Sequence, residues 1–350
     1  MRRPIGIVGD ACNQRLAPAL MDKLALPRVA GLGLRMASNG AEQPGGRQVS
    51  RRRLRAAVIT IAVAAALVAG LVAAVTVLSE RKMHRTVQVT VAPVAYVSDA
   101  GAVARGRYLF ESRGCAGCHG ADGTGRVFID APNGLYARAP NITGGPGSAV
   151  TGYGERDWVR TLRHGVKPDG RPLMIMPCED YSRLTDTDVA ALVAYVRSLP
   201  PRAGVTAELR LPLIVKAAYA FGAVRDAAEK IDHTLPPSQP VPVAVSAEHG
   251  AYVASMCSGC HGPTLSGGRI PGAPPEWPAA SNLTLGEDGV LARYDTPEKF
   301  IAMLRTGKRP DGTDVSRVMP FASLKTIDEI DARAMHVYLN SLPPRRMGER

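Results

Sequence analysis

Seven short motifs recur in this 350-residue chain at a nearly constant offset, and that internal repeat limits the fold more than any other feature. Cys115-Ala-Gly-Cys118-His119 returns as Cys257-Ser-Gly-Cys260-His261. Asn141-Ile-Thr143 returns as Asn282-Leu-Thr284, Arg163-His-Gly165 as Arg305-Thr-Gly307, and Pro168-Asp-Gly170 as Pro310-Asp-Gly312. Met176-Pro177 matches Met319-Pro320, Tyr195 matches Tyr338, and Leu199-Pro200-Pro201 matches Leu342-Pro343-Pro344. The offset stays within 141–143 residues. A solenoid needs three or more stacked units, so two copies of a domain-sized segment indicate a duplicated domain.

Each repeat reads as helical. The first helix runs over about 99–112 and again over 247–256, with Ser246 as N-cap. The middle helix covers about 155–163 and 297–305, the second opening on Thr296-Pro297. Trp158 and Leu162, then Phe300 and Leu304, lie four apart and give each an apolar face. The last helix opens on Thr185 with Asp188 in one repeat and on Thr326 with Glu329 in the other, a capping-box spacing. Val189, Leu192, Val193, Val196 and Leu199 then follow helical spacing, and a Pro pair closes the helix. No run of alternating apolar residues calls for a substantial sheet. Residues 203–244 are a linker whose Pro-rich end is extended. Its apolar stretch at 211–224 is too short to span a membrane, which leaves a packing helix over the domain junction or an interfacial helix.

The net charge of +12 resembles a nucleic-acid signal, but +8 of it sits in residues 1–55 and only +2 in residues 86–350. No electrostatic footprint for a polyanion remains, so nucleic acid is not an expected partner. The basic excess flanks residues 56–79, a run of 24 without a charge. As a helix it would span ~36 Å, enough for a ~30 Å hydrocarbon core. Arg47, Arg51, Arg52, Arg53 and Arg55 precede it, and Arg81, Lys82 and Arg85 follow, diluted by Glu80. That asymmetry places 1–55 as a disordered cytoplasmic tail and the rest outside the inner membrane. The rival is a cleaved signal peptide, whose apolar region is usually ~7–15 residues with a small-residue cleavage site after it. Val77-Leu78-Ser79-Glu80 offers no such site.

C-x-x-C-H is the attachment pattern of a c-type haem. Two thiols add to the two vinyl groups of one haem, so the sulfurs need a fixed separation, and the adjacent His falls beneath the iron. A thioredoxin-like dithiol does not need that His, and a zinc site would want a second Cys or His pair nearby. Met176 lies 57 residues after His119 and Met319 lies 58 after His261, each followed by Pro. Lone methionines are usually core, but a Met-Pro at the same place in both repeats points to axial ligation. Met174 rivals Met176 in the first repeat alone. Met/His ligation fills both axial positions, leaving no site for substrate, so the expected role is electron transfer and not catalysis.

On these residues each repeat resembles a class I cytochrome c domain, over about 98–202 and 245–345. The resemblance implies an all-α fold, with two cytochrome c-like domains after an N-terminal transmembrane helix. It implies two covalently bound haem c, attached at Cys115, Cys118, Cys257 and Cys260, with iron held by His119, Met176, His261 and Met319. In that family a small residue on the first helix lets it cross an aromatic on the last, roles that Gly106 with Tyr195 and Gly250 with Tyr338 match. A Pro carbonyl often holds the second nitrogen of the haem His. Pro140 occupies that place here but Ser281 replaces it in the second repeat, so the two haems are expected to differ in potential. The tandem layout is similar to membrane-anchored diheme or triheme c-type subunits that accept electrons from periplasmic alcohol, gluconate and aldehyde dehydrogenases. The partners so implied are a dehydrogenase as donor and an oxidase or other cytochrome as acceptor. A diheme subunit of a haem-copper oxidase shares the chemistry, and a diheme peroxidase would need one open haem.

Several residues read as bland. Asn141-Ile-Thr143 and Asn282-Leu-Thr284 match a glycosylation acceptor but are expected in a loop near the haem edge. Cys12 is expected as a surface thiol and Cys178 as a small packed one. His233 and His249 are expected in solvent, and Trp158 and Trp277 as packing residues.

Overall fold

The computed structural model describes residues 51–349 apart from Pro275. Residues 1–50 of the expected tail, with Cys12, lie outside the described residues. Helix α1 covers Arg51–Met83, longer at both ends than the uncharged run, so the arginines 51–55 are helical and not tail. Among the described residues it is the helix long and apolar enough to cross a membrane.

The elements of the first repeat are α2 (Ala100–Ser112), α3 (Cys115–His119), β1 (Arg126–Asp130), β2 (Tyr136–Ala139), α4 (Glu155–His164), α5 (Cys178–Tyr181) and α6 (Asp186–Ser198). Between the repeats lie β3 (Glu208–Arg210), α7 (Leu213–Ala220) and α8 (Ala227–Lys230). The second repeat supplies α9 (Ala247–Ala254), α10 (Ser258–His261), α11 (Pro297–Thr306), α12 (Phe321–Leu324) and α13 (Glu329–Ser341). The all-α expectation needs one correction. β1, β2 and β3 form a small antiparallel sheet in that order. It escapes period-2 reading because its strands are three to five residues long and one carries a register shift.

Helix starts follow side-chain chemistry. Asp99 Oδ1 accepts from Ala102 N, Ser246 Oγ from His249 N, and Thr185 Oγ1 from Asp188 N, each satisfying an otherwise unpaired first-turn donor. In the second repeat the cap is Asp328, not Thr326: its Oδ1 accepts from Asp331 N at 2.8 Å. Thr326 instead donates its hydroxyl to the Ser323 carbonyl. α4 and α11 both end on a glycine in the left-handed region, Gly165 and Gly307, as their matched positions suggest.

Each repeat builds its own core. Leu109, Phe110, Trp158, Leu162, Val189 and Leu192 are buried in the first. Val253, Phe300, Leu304, Ile327, Met335 and Leu339 are buried in the second. Each such side chain contributes roughly 1.5–3 kcal/mol by leaving water. Within each, the first helix crosses the last at a glycine. A Cβ on Gly106 would lie 1.9 Å from the Ala191 carbonyl oxygen and 2.7 Å from Tyr195 Cβ. A Cβ on Gly250 would meet Ala334 O at 1.9 Å and Tyr338 Cβ at 2.7 Å.

The repeats dock reciprocally. Tyr108 on α2 donates its hydroxyl to Asp331 Oδ2 on α13 at 2.6 Å, and Tyr252 on α9 donates to Asp188 Oδ2 on α6 at 2.6 Å. Each phenol oxygen also accepts the backbone N–H of the opposite helix cap, Asp328 or Thr185. Contacts that exchange roles in this way are those of a two-fold interface between like units. It draws together the two Cys-x-x-Cys-His segments: α5 of the first repeat packs on α10, and α12 of the second packs on α3.

Candidate functional site

Both candidate histidines sit at the end of a single helical turn and are held in the same way. His119 Nδ1 lies 2.9 Å from the Pro140 carbonyl, and His261 Nδ1 lies 2.8 Å from the Ser281 carbonyl. A carbonyl only accepts, so Nδ1 carries the proton and Nε2 keeps its lone pair. Burial lowers the pKa of both imidazoles, against a smaller opposing effect of these hydrogen bonds, and keeps the rings neutral and ligand-competent. The Pro-to-Ser difference that suggested unequal haems therefore changes nothing at this contact, because the main chain makes it in both repeats.

The Asn-x-Thr segments explain why those carbonyls are in place. Asn141 Nδ2 donates to the Pro146 and Arg202 carbonyls, and its Oδ1 accepts from Thr143 N at 2.8 Å. Asn282 Nδ2 donates to the Arg345 carbonyl, and its Oδ1 accepts from Thr284 N at 3.0 Å. Both asparagines and both threonines are fully buried. They tie the loop carrying the His-binding carbonyl to the chain just past the Leu-Pro-Pro segment. Buried amides with all polar atoms engaged are structural, and the glycosylation pattern is coincidental here.

Cys115, Cys118, His119 and Met176 line a cavity of about 990 Å³ that also takes in Cys257, Cys260, His261 and Met319. Phe110, Ile142, Trp158 and Leu162 are among its apolar walls on one side, and Val315, Val318 and Leu324 on the other. Burial pushes the Cys115 and Cys257 thiols up to about 12 and raises Cys118 and Cys260 as well. Two thiols, a neutral imidazole with a free Nε2, a thioether and apolar walls, present twice around one cavity, fit the demands of covalently attached haem. Met174 lines the same cavity as Met176, so both first-repeat candidates reach it.

Charges between the repeats escaped the motif-based reading. Arg105 grips Asp188 with two parallel hydrogen bonds of 2.9 Å. Burial opposes ionisation of Asp188, but Arg105 and Tyr252 outweigh it and hold the carboxyl below its ordinary value. At the equivalent place in the second repeat, His249 Nε2 lies 2.6 Å from Asp331 Oδ1. The expectation that His249 is solvated is wrong: it is almost fully buried, because it sits one residue before the crossing glycine. The Arg113 guanidinium, also buried, contacts Met256 Sδ at 2.9 Å and approaches Asp331 to 3.8 Å. Asp180 on α5 accepts the Gly259 N–H inside the second Cys-x-x-Cys. Burial, reinforced by Glu179, pushes its carboxyl up to about 7. The matched position in the first pair is held by neutral Ser323, beside Gly114. A repeat alignment would have paired Arg105 with His249, each one residue before a crossing glycine, and Asp188 with Asp331, 143 residues apart near the start of the last helix.

The remaining residues divide. Cys178 is fully buried, donates its Sγ–H to Thr161 O, and has its thiol pushed up by burial, as expected of a packed thiol. Trp158 packs in the core, but Trp277 is 44% exposed and does not. His233 is half-buried, its Nδ1 at 3.0 Å from His164 Nδ1.

The cytochrome c family profile matches residues 103–200. The fructose dehydrogenase cytochrome subunit of Gluconobacter japonicus is 27% identical over 69% of this chain and 52% of its own length. The alcohol dehydrogenase (quinone) cytochrome c subunit of Gluconobacter oxydans is 24% identical over 70% of this chain and 56% of its own. A Cbb3-type cytochrome c oxidase subunit of Helicobacter pylori is 35% identical over 28% of each. The chain thus spans about half the length of these two dehydrogenase subunits.

Proposed function

We propose that this chain, which carries a cytochrome c domain, is a membrane-anchored diheme c-type cytochrome that takes electrons from a periplasmic dehydrogenase and passes them towards the respiratory chain. The observation that carries this reading is the duplicated set of two cysteines, a histidine and a methionine around one cavity. Haem domains at 98–202 and 245–345 each attach one haem c, through Cys115 and Cys118 or through Cys257 and Cys260. His119 with Met176, and His261 with Met319, are the axial pairs. Bound haem supplies a one-electron couple between ferric and ferrous iron. The protein's part is to orient each imidazole through the Pro140 or Ser281 carbonyl, to limit water with apolar walls, and to keep the two sites along one cavity. α1 anchors the domains, with the N-terminus in the cytoplasm and the haem domains outside. The names of the relatives support a dehydrogenase as donor. An oxidase subunit is the second reading, supported by the shorter match to the Cbb3-type subunit. A peroxidase fits less well, since both repeats offer a methionine to close the sixth position.

Purification of the tagged protein in mild detergent from its own membranes, with haem counted per chain, tests the proposal. Two haems and a co-purifying dehydrogenase are expected. Oxidase core subunits instead would move the chain to the second reading. A count of one or none would overturn the diheme assignment.

A further inference from the structure

We propose that α7 is a lipid-contacting foot, lying in the interfacial layer of the bilayer that α1 enters and seating the haem domains against it. The inference rests on the reading of α1 as a membrane anchor. α7 begins at Leu213, and its two ends expose large apolar side chains: Leu213 is 45% exposed, Ile214 75% and Phe221, just past the helix, 71%. Ile214 and Phe221 are seven residues apart, two turns along one face, with the small residues Ala217 and Ala218 between them.

The opposite face is tied to α1 where the uncharged run ends. Lys216 Nζ pairs with Glu80 Oε1 at 3.1 Å. Lys82 Nζ donates to the Tyr219 carbonyl at 2.9 Å. Arg85 donates to the Tyr219 hydroxyl at 3.0 Å and to both oxygens of the fully buried Asp226. Tyr219 completes the cluster by donating its hydroxyl to Asp226 Oδ2 at 2.7 Å. These contacts fall at residues 80–85, directly after the apolar run of 56–79, so they fix α7 at the level where a spanning helix leaves the hydrocarbon.

That height selects the occupant. Leu71, Val77 and Leu78 of α1 are themselves exposed apolar residues, so bare apolar side chains occur on both the spanning helix and the helix tied to its end. Arg81 and Arg225 are exposed and have no ion-pair partner among the described residues, so they are free to meet lipid phosphate. An amphipathic helix with apolar residues on one face and cations beside it is the form that lies in an interface plane. Ile214 and Phe221, bared on one face, form an apolar patch of the kind that marks an interaction surface, and its height beside α1 makes lipid the occupant.

Photolabelling of the intact protein in phosphatidylcholine vesicles, using an acyl-chain diazirine lipid and tryptic mapping, tests this without any variant. Peptides 211–216 and 217–225 should carry label within about threefold of that on the apolar part of α1, and about tenfold above peptides of α13. Label on α1 with only α13-level label on 211–225 would overturn the foot. No label on α1 would overturn the anchor reading itself, and is distinguishable from the first failure. Ile214→Asp with Phe221→Asp should lower labelling of 211–225 severalfold while haem content stays unchanged. Undiminished labelling in that double variant would also overturn the proposal, since the label would not be reaching the named side chains.

Discussion

The two repeats share a frame and differ in the charges set into it. In both, a glycine brings the first helix against the last, a main-chain carbonyl orients the histidine, and a buried Asn-x-Thr holds that carbonyl. In both, a tyrosine reaches across to the aspartate near the start of the other repeat's last helix. What differs is electrostatic. Asp188 faces an arginine, whereas Asp331 faces a histidine. Asp180 adjoins the second Cys-x-x-Cys, whereas neutral Ser323 adjoins the first pair. Arg113 comes from the first repeat, and Ser255 holds the corresponding place in the second. The approach to the motif differs too: α9 stops at Ala254 and a tight turn of Ser255–Cys257 completes the connection. Duplication preserved the geometry that holds a cofactor and left free the charges that would set its potential.

The largest effects test whether the frames are equivalent. His261→Ala and His119→Ala should each remove about half of the covalent haem absorbance per chain, read by denatured haem spectra. Unequal losses, with one variant keeping full haem, would break the equivalence. Met319→Ala should keep two haems but lower the potential of one, by an appreciable part of the ~0.8 V that axial ligands span, seen in a redox titration. Met176→Ala compared with Met174→Ala would decide the first-repeat ligand by the same measurement.

Gly250→Val and Gly106→Val should destabilise their own repeats to similar extents, by at least the ~1–3 kcal/mol of ordinary overpacking, since the obstruction is backbone at 1.9 Å. Thermal unfolding of the holoprotein would show it.

The smallest effect sharpens the electrostatic difference. Asp180 has its folded value raised above that of an ordinary carboxyl, so the folded state binds its proton more tightly than the unfolded chain does. Stability from this source is full below the ordinary value of 3.8 and is lost as pH rises through about 7. Asp180→Asn should therefore be nearly neutral in acid and stabilising above pH about 7. It should also raise the potential of the second haem relative to the first at alkaline pH, because an adjacent carboxylate favours ferric iron. A second-haem potential that is unchanged and equally pH-dependent in the variant would remove Asp180 from the account.

Linear reading went furthest where chemistry depends on spacing. The Cys-x-x-Cys-His pairs and the paired methionines that line one cavity, the crossing glycines and most helix starts are local or repeat-encoded, and the repeat doubled each signal. It failed where the partner lies far along the chain. His249 reads as an ordinary polar residue until α13 brings Asp331 to it from 82 positions away. Thr326 fits a capping box, but the repeat's register put the cap on Asp328. The sheet was missed because β3 joins β2 from about 70 residues downstream.

Sequence alone determined the local patterns: two Cys-x-x-Cys-His spacings, and an uncharged run that makes one helix long and apolar enough to cross a membrane. Only the tertiary structure decided the environment of that chemistry: which carbonyl accepts the imidazole N–H, which charges face one another between the repeats, and where α7 meets α1. Those depend on distances between segments remote in sequence, and such distances exist only once helices have packed.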